Sequence, residues 1–172
     1  MRFDDAAFDG VIMCLQPAWL AWPALLVQAA RALRPGGALL FCTFGPDTLA
    51  QVRWAWSQAD ELAHVHPFID MHWIGDRLLD SNFVRPVMDV DRVAVEYADA
   101  DALYADLRAE GFVNILSQRR KTLTGKHRFA RATRALENLR APGAPLAITY
   151  ELIYGIAAAP PPSSLRVRVT PA

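Results

Sequence analysis

The sequence predicts an α/β fold, the second half of a doubly wound sheet: a parallel βαβ unit plus an antiparallel edge pair. Three observations carry this expectation. Two short, almost wholly apolar runs, FDGVIMCL (8–15) and ALLFCTF (38–44), suit strands covered on both faces. Between them, Trp22, Leu25, Leu26, Ala29 and Leu33 fall at helical spacing, so the runs are joined by a right-handed crossover. Two later runs, PVMDVDRVAVEY (86–97) and LAITYELIYGI (146–156), alternate or are rich in β-branched and aromatic residues, and these two can pair antiparallel at the sheet edge.

The remaining elements follow in order. Arg31 and Arg34 sit in the last turn of the crossover helix, where the macrodipole favours cations, and Pro35-Gly36-Gly37 stops it. Asp47 or Thr48 is expected to cap a helix to about residue 58, with Leu49, Val52 and Trp56 on one side. Residues 59–72 have no clear period and hold three of the four histidines, which reads as an irregular lid over a site. IGDRLLDSNF fits a short helix. Asp99 or Asp101 caps a helix that Gly111 ends. A last helix runs from about Lys126 to Arg140 with Phe129, Ala132, Leu136 and Leu139 as its apolar stripe, broken by APGAP. The domain is expected over 1–160, with 48–82 as an inserted helical lid and substrate region and 161–172 as a flexible, proline-rich tail.

Composition bounds the function. The chain has 172 residues, 53% of them hydrophobic, enough for one domain with a real core. Its 18 basic and 18 acidic residues balance, which argues against a generally nucleic-acid-seeking protein. Cys14 and Cys42 lie in apolar runs and read as small buried hydrophobes of a reducing compartment. The acidic N-terminus has no apolar signal region, and residues 11–33 are interrupted by Gln16, Pro17, Pro23 and Gln28, so neither a secretory signal nor a membrane span is expected. A cytoplasmic protein is the default.

Several motifs carry a resemblance. FDGVIMCLQPAW followed by ALRPGGALLF is similar to the fourth strand, helix stop and fifth strand of class I methyltransferases that use S-adenosylmethionine. GPDTL (45–49), HPFIDMHWIGDRLL (66–79), PVMDVDRV (86–93), LTGKHR (123–128) and TYELIYG (149–155) resemble, in order, the malonyl-acyl-carrier-protein O-methyltransferase family of biotin synthesis. The mitochondrial complex I assembly factors share the turn at GPDT and the His-x-x-Phe lid but depart elsewhere. The resemblance implies a Rossmann-like methyltransferase sheet. Yet the chain lacks the family's Gly-x-Gly-x-Gly cofactor loop and the acid that holds the ribose. Gly36-Gly37 is a helix stop before a strand, the reverse of the strand–loop–helix order such a loop needs. The front half of the sheet is therefore expected to lie outside the chain, through an internal start, a truncated gene or artificial trimming. Binding of S-adenosylmethionine by this chain alone is then not expected.

Site residues follow from the same resemblance. Cys14, Leu15, Gln16 and Trp19, after the first strand, would touch the methionine part of the cofactor. Gly45, Asp47 and Thr48 would open into the substrate region, where His66, Phe68, Asp70 and His72 line the acyl pocket. Arg53 or Arg77 would meet the substrate carboxylate. That carboxylate is ionised near neutral pH, so no general base and no catalytic triad are expected. His64-x-His66 with Asp70-x-His72 offers zinc-binding residue types, but on a single stretch without a second cluster, so no metal is expected.

Charge is segregated. No acid lies between Glu110 and Glu137, while Arg119, Arg120, Lys121, Lys126, Arg128, Arg131 and Arg134 do. A face of this kind would steer an acidic acyl carrier protein bearing a malonyl group, and the near absence of interleaved aromatics argues against RNA. Two functions compete at this level. One is the carboxyl-terminal half of a methyltransferase, active with its other half supplied; the other is a non-catalytic binding or assembly module on the same scaffold. A bare edge on the first strand would favour self-association or dependence on another chain.

Overall fold

The computed structural model describes residues 3–16, 22–112 and 114–161. The elements are β1 (Phe8–Gln16), α1 (Trp22–Ala32), β2 (Leu33–Phe44), α2 (Ala50–Ser57), α3 (Met71–Asp80), β3 (Val84–Tyr97), α4 (Ala100–Ala109), α5 (Lys126–Glu137) and β4 (Leu146–Ala158). The strands form one sheet in the order β1-β2-β4-β3. β1 and β2 are parallel, with Val11 opposite Leu39 and Met13 opposite Phe41. The N–H of Gly36 and the carbonyl of Gly37 both pair with Ala159, while the N–H of Gly45 pairs with Glu151, so β4 runs antiparallel to β2. At β3, Val87 faces Gly155 and Tyr97 meets Tyr150, so this edge pair is antiparallel too.

The described residues within 1–43, 70–89 and 153–172 form one compact unit, and those within 44–69 and 90–152 form a second. Of the expected lid, 48–69 falls in the second and 70–82 in the first. The expected tail lies outside the described residues apart from Pro161.

In the first unit, α1 packs against α3 and both cover one face of the sheet. Trp22, Leu26, Ile74, Leu78 and Phe83 are buried there, and the Trp22 ring stands edge-on to Phe41 at 5.8 Å. Met13, Leu39 and Phe41 point into this layer. Their neighbours Ile12, Cys14 and Leu40 alternate to the other side and are exposed. The expectation that the strands of 8–15 and 38–44 are covered on both faces is thus corrected for the described residues, which cover one. The crossover helix also stops earlier than its stripe suggests. Leu33 and Arg34 already belong to β2, because Phe8 pairs with Leu33 and draws the chain into the ladder before Pro35.

In the second unit, α2, α4 and α5 pack together and share a core of Leu49, Val52, Trp56, Leu103, Leu136 and Ile148. Asp99 caps α4, its carboxylate accepting the Ala102 N–H at 2.8 Å. Of the stripe expected on α5, Ala132 and Leu136 are buried, but Phe129 and Leu139 are exposed. Gly125, rather than a side chain, precedes the helix.

Candidate functional site

The turn 45–48 is tied to β4 and β3 by a set of hydrogen bonds and an ion pair. Glu151, buried on β4, holds it from four directions. Its carbonyl accepts the Gly45 N–H at 2.8 Å, and its carboxylate accepts the Asp47 N–H at 2.8 Å. The Thr48 hydroxyl donates to the Glu151 carbonyl and accepts the Glu151 N–H, both at 3.0 Å. Arg92 completes the arrangement, reaching Glu151 at 3.1 Å and Asp47 at 2.8 Å. Gly45 is required here because a Cβ would lie 2.5 Å from the Glu151 carboxylate. The expected capping of the next helix by Asp47 or Thr48 is corrected. Leu49 occupies the N-cap in a left-handed conformation (φ 57°) without a side-chain cap, since Asp47 is paired with Arg92 and Thr48 with β4.

Arg53 lies one helical turn on and grips the same turn, donating to the Pro46 carbonyl at 3.2 Å and the Thr48 carbonyl at 3.4 Å. It also lines an open groove of about 350 Å³ with Ser57, Asp60, His64 and Val65. Asp60 accepts from His64 at 2.8 Å, from the Leu62 N–H at 3.0 Å and from Arg120 at 3.3 Å. Burial opposes ionisation of this carboxyl, but these three bonds outweigh it and hold its pKa below the usual aspartate range. The His64 ring stacks on Trp56 at 3.8 Å. His66 is buried, and its Nε2 accepts the Ile115 N–H at 3.1 Å. Phe68 packs on Phe44, which also meets Phe112 and Tyr150. The Tyr150 hydroxyl meets that of Tyr97, which donates to Asp106; burial and these partners push the Tyr97 phenol well above its ordinary pKa.

The remaining residues singled out in the sequence divide between the units. Gly45, Asp47, Thr48, Arg53, His66 and Phe68 are all in the second. Asp70, His72 and Arg77 are in the first. Asp70 caps α3 through the Trp73 N–H, His72 is exposed within that helix, and Arg77 pairs with Asp80 and lies over the Trp73 ring. Among the described residues, no group of three potential metal ligands comes together. Of the basic segment, Arg120 is held by Asp60, Arg131 donates to the Ala59 carbonyl and Arg119 to the Leu116 carbonyl. Lys121, Lys126, Arg128 and Arg134 remain as its outward cations, with Lys126 and Arg128 lining a 390 Å³ hollow at the start of α5. Glu151, Arg92 and the His64–Asp60–Arg120 chain escaped the sequence reading. A lone acid inside the apolar run TYELIYG was the available signal for Glu151.

At the end of β1, Leu15 has φ 47°, and the register slips there, Cys14 pairing with Cys42 but Gln16 with Thr43. A bulge of this kind re-aims the chain beyond the strand. Trp19 lies outside the described residues. Cys14 and Leu15 are exposed at this strand end. No helix among the described residues is long and apolar enough to cross a membrane.

Comparison with solved structures defines the class. The chain aligns over 93% of its length with 68% of a Bacillus halodurans C-125 protein assigned to the methyltransferases, at TM-score 0.58 and 15% identity. It aligns equally with the YcgJ protein of Bacillus subtilis, at TM-score 0.57, 12% identity and 68% of that chain. The fold is therefore that of part of a methyltransferase. No family model matches the chain. Curated relatives are closer: the malonyl-[acyl-carrier protein] O-methyltransferase of Xylella fastidiosa M23 is 43% identical over 159 residues, 91% of this chain and 53% of the relative. That of Laribacter hongkongensis is 41% identical, covering 88% of this chain and 51% of the relative, and Coxiella burnetii O-methyltransferase 1 is 39% identical, covering 90% and 55%. The chain is a homologue of the malonyl-[acyl-carrier protein] O-methyltransferases and spans about half the length of the curated relatives it matches.

Proposed function

We propose that the chain forms the substrate-facing half of an S-adenosylmethionine-dependent methyltransferase that esterifies the free carboxylate of a malonyl group carried on acyl carrier protein. The observation that carries this is the 43% identity to a relative of that name over 91% of the chain, a stretch that includes the turn, the lid segment and the basic segment. A bound cofactor would supply an electrophilic methyl group. The malonyl carboxylate needs no base, so the contribution of these residues is to hold one of its oxygens in line and to exclude water.

The geometry supports a division of labour. Arg53 is fixed on the Gly45–Thr48 turn and also lines the groove beside His64, so it is the guanidinium to meet the carboxylate. The Asp60 charge in that groove is already matched by Arg120 and therefore does not repel it. Phe68 and Phe44 offer the acyl chain an aromatic surface. The outward cations Lys121, Lys126, Arg128 and Arg134 draw the acidic carrier protein.

The test is a titration of this chain with malonyl- and acetyl-loaded carrier protein. Malonyl carrier is expected to bind more tightly, with affinity falling as salt rises. Equal affinity for the two would overturn the substrate assignment. The second reading, a binding module without catalysis, is favoured by the absence of Gly-x-Gly-x-Gly within these 172 residues. It predicts carrier binding with no preference for a free carboxylate.

A further inference from the structure

The chain has two cysteines, and the fold sets them opposite one another. Cys14 of β1 and Cys42 of β2 are register partners in the parallel ladder. The ladder slips directly after them, Gln16 taking Thr43, so the pair sits on its last regular rung. Residues facing each other on neighbouring strands lie about 4.8 Å apart, inside the roughly 4.4–6.8 Å between Cα atoms that a disulfide spans. Both side chains point to the same side of the sheet, since both line one groove with Ile12 and Leu40. The sequence suggests two buried hydrophobes; among the described residues Cys14 is exposed and Cys42 half-buried. The two thiols also act on each other. Burial, and after it the Cys14 charge, push the Cys42 thiol above its ordinary pKa.

We propose that Cys14 and Cys42 form a redox-sensitive dithiol, a modification site that hydrogen peroxide closes to a disulfide. Cys14 is the more exposed of the two and meets the peroxide first. Having lost its proton to solvent, its sulfur attacks one peroxide oxygen. The O–O bond breaks, the leaving hydroxide takes up a proton to become water, and Cys14 becomes a sulfenic acid. That group is uncharged, so the Cys14 charge no longer opposes ionisation of Cys42. The Cys42 thiolate then attacks the Cys14 sulfur, the S–O bond breaks, and hydroxide leaves to become a second water. Two thiols are oxidised to one disulfide, and one peroxide is reduced to two waters. The chain has no third cysteine to compete for the sulfenic acid. The new bond lies between adjacent strands, within the layer of the sheet, and takes no room above its face. The inference rests on the strand register, not on the substrate assignment.

The experiment treats the full chain, reduced and then freed of reductant, with hydrogen peroxide near neutral pH. Remaining thiols are capped with N-ethylmaleimide, and the products are read by mass spectrometry without reduction. A linked Cys14–Cys42 peptide and an intact chain lighter by two hydrogens are expected. Dithiothreitol should restore both thiols, itself ending as its cyclic disulfide. In Cys42→Ser the Cys14 sulfenic acid has no partner, so its capture by dimedone should rise about tenfold or more over the unsubstituted chain. In urea, where the register is lost, linking should slow about tenfold or more. Thiols that stay free at a peroxide dose that oxidises glutathione would overturn the proposal. So would Cys14 carried on to sulfinic acid while Cys42 still takes the cap, or linking that is as fast in urea. A reducible dimer in place of the internal link would overturn it in favour of a bond between two chains. The measurements on the unsubstituted chain decide the matter should Cys42→Ser fail to fold. Malonyl-selective carrier binding is read separately, so failure here would leave the functional reading standing.

Discussion

At Gly45 a methyl group has nowhere to go, because the Glu151 carboxylate fills the space above the Cα. Gly45→Ala is expected to cost about 1–3 kcal/mol through overpacking, read as a lower urea midpoint at unchanged slope. Thr48→Val removes the hydroxyl that both donates to and accepts from the Glu151 backbone, and should cost about 1–3 kcal/mol by the same measurement. Arg53→Gln is expected to weaken malonyl-carrier binding by about tenfold or more, the loss of a charge-assisted bond, while leaving acetyl-carrier binding unchanged. Asp60 makes a pH prediction. Its folded pKa is depressed, so its contribution is complete above the unfolded value of about 4 and disappears as pH falls through the folded one. The stability difference between the chain and Asp60→Asn should therefore hold from pH 7 to about 5 and shrink below about 4; a difference that stayed constant to pH 3 would remove the ion-pair account. Single residues were unevenly legible in the sequence. The GPDT turn could be found because glycine, proline and capping residues announce a turn. Its true partner, Glu151, lies 104 positions from Asp47, and no local pattern reports a bond across that distance.

Elements were more legible than their caps. Helical hydrophobic period located α1, α2 and α5, apolar or alternating runs located the strands, and capping and stop residues located α4. Boundaries moved where tertiary bonds competed: β2 begins at Leu33 because Phe8 pairs with it, and α2 loses its expected cap because β4 takes Thr48. Where no competitor exists the local rule held, as at Asp99. Asp99→Ala should cost about 1 kcal/mol in thermal or urea unfolding, with Asp101→Ala near neutral. Residues 59–72 have no period and read as a loop over a site or an irregular lid; α3 takes up Met71 and His72, and side-chain bonds hold the stretch before it. His64 and His66 are fixed by Trp56, Asp60 and Ile115, contacts that side-chain chemistry makes without secondary structure. The Tyr97 hydroxyl ties β3 to α4 through Asp106. Its raised pKa means the unfolded chain loses this proton first, so stability should fall as pH rises above about 10, and Tyr97→Phe should flatten that fall.

At the scale of the whole molecule, the apolar runs of β1 and β2 describe strands suited to burial on both faces, and the described residues cover one. An apolar pattern reports what a strand is fitted for; it does not report whether the covering element lies within the same 172 residues. The chain spans about half the length of the curated relatives it matches. The most direct measurement is methyl-ester formation on malonyl carrier protein from S-adenosylmethionine, made with this chain, with the complementary polypeptide, and with both. The account predicts ester only from the mixture, lost with Arg53→Gln. A mixture that elutes as one complex in size-exclusion chromatography yet transfers no methyl group would contradict it.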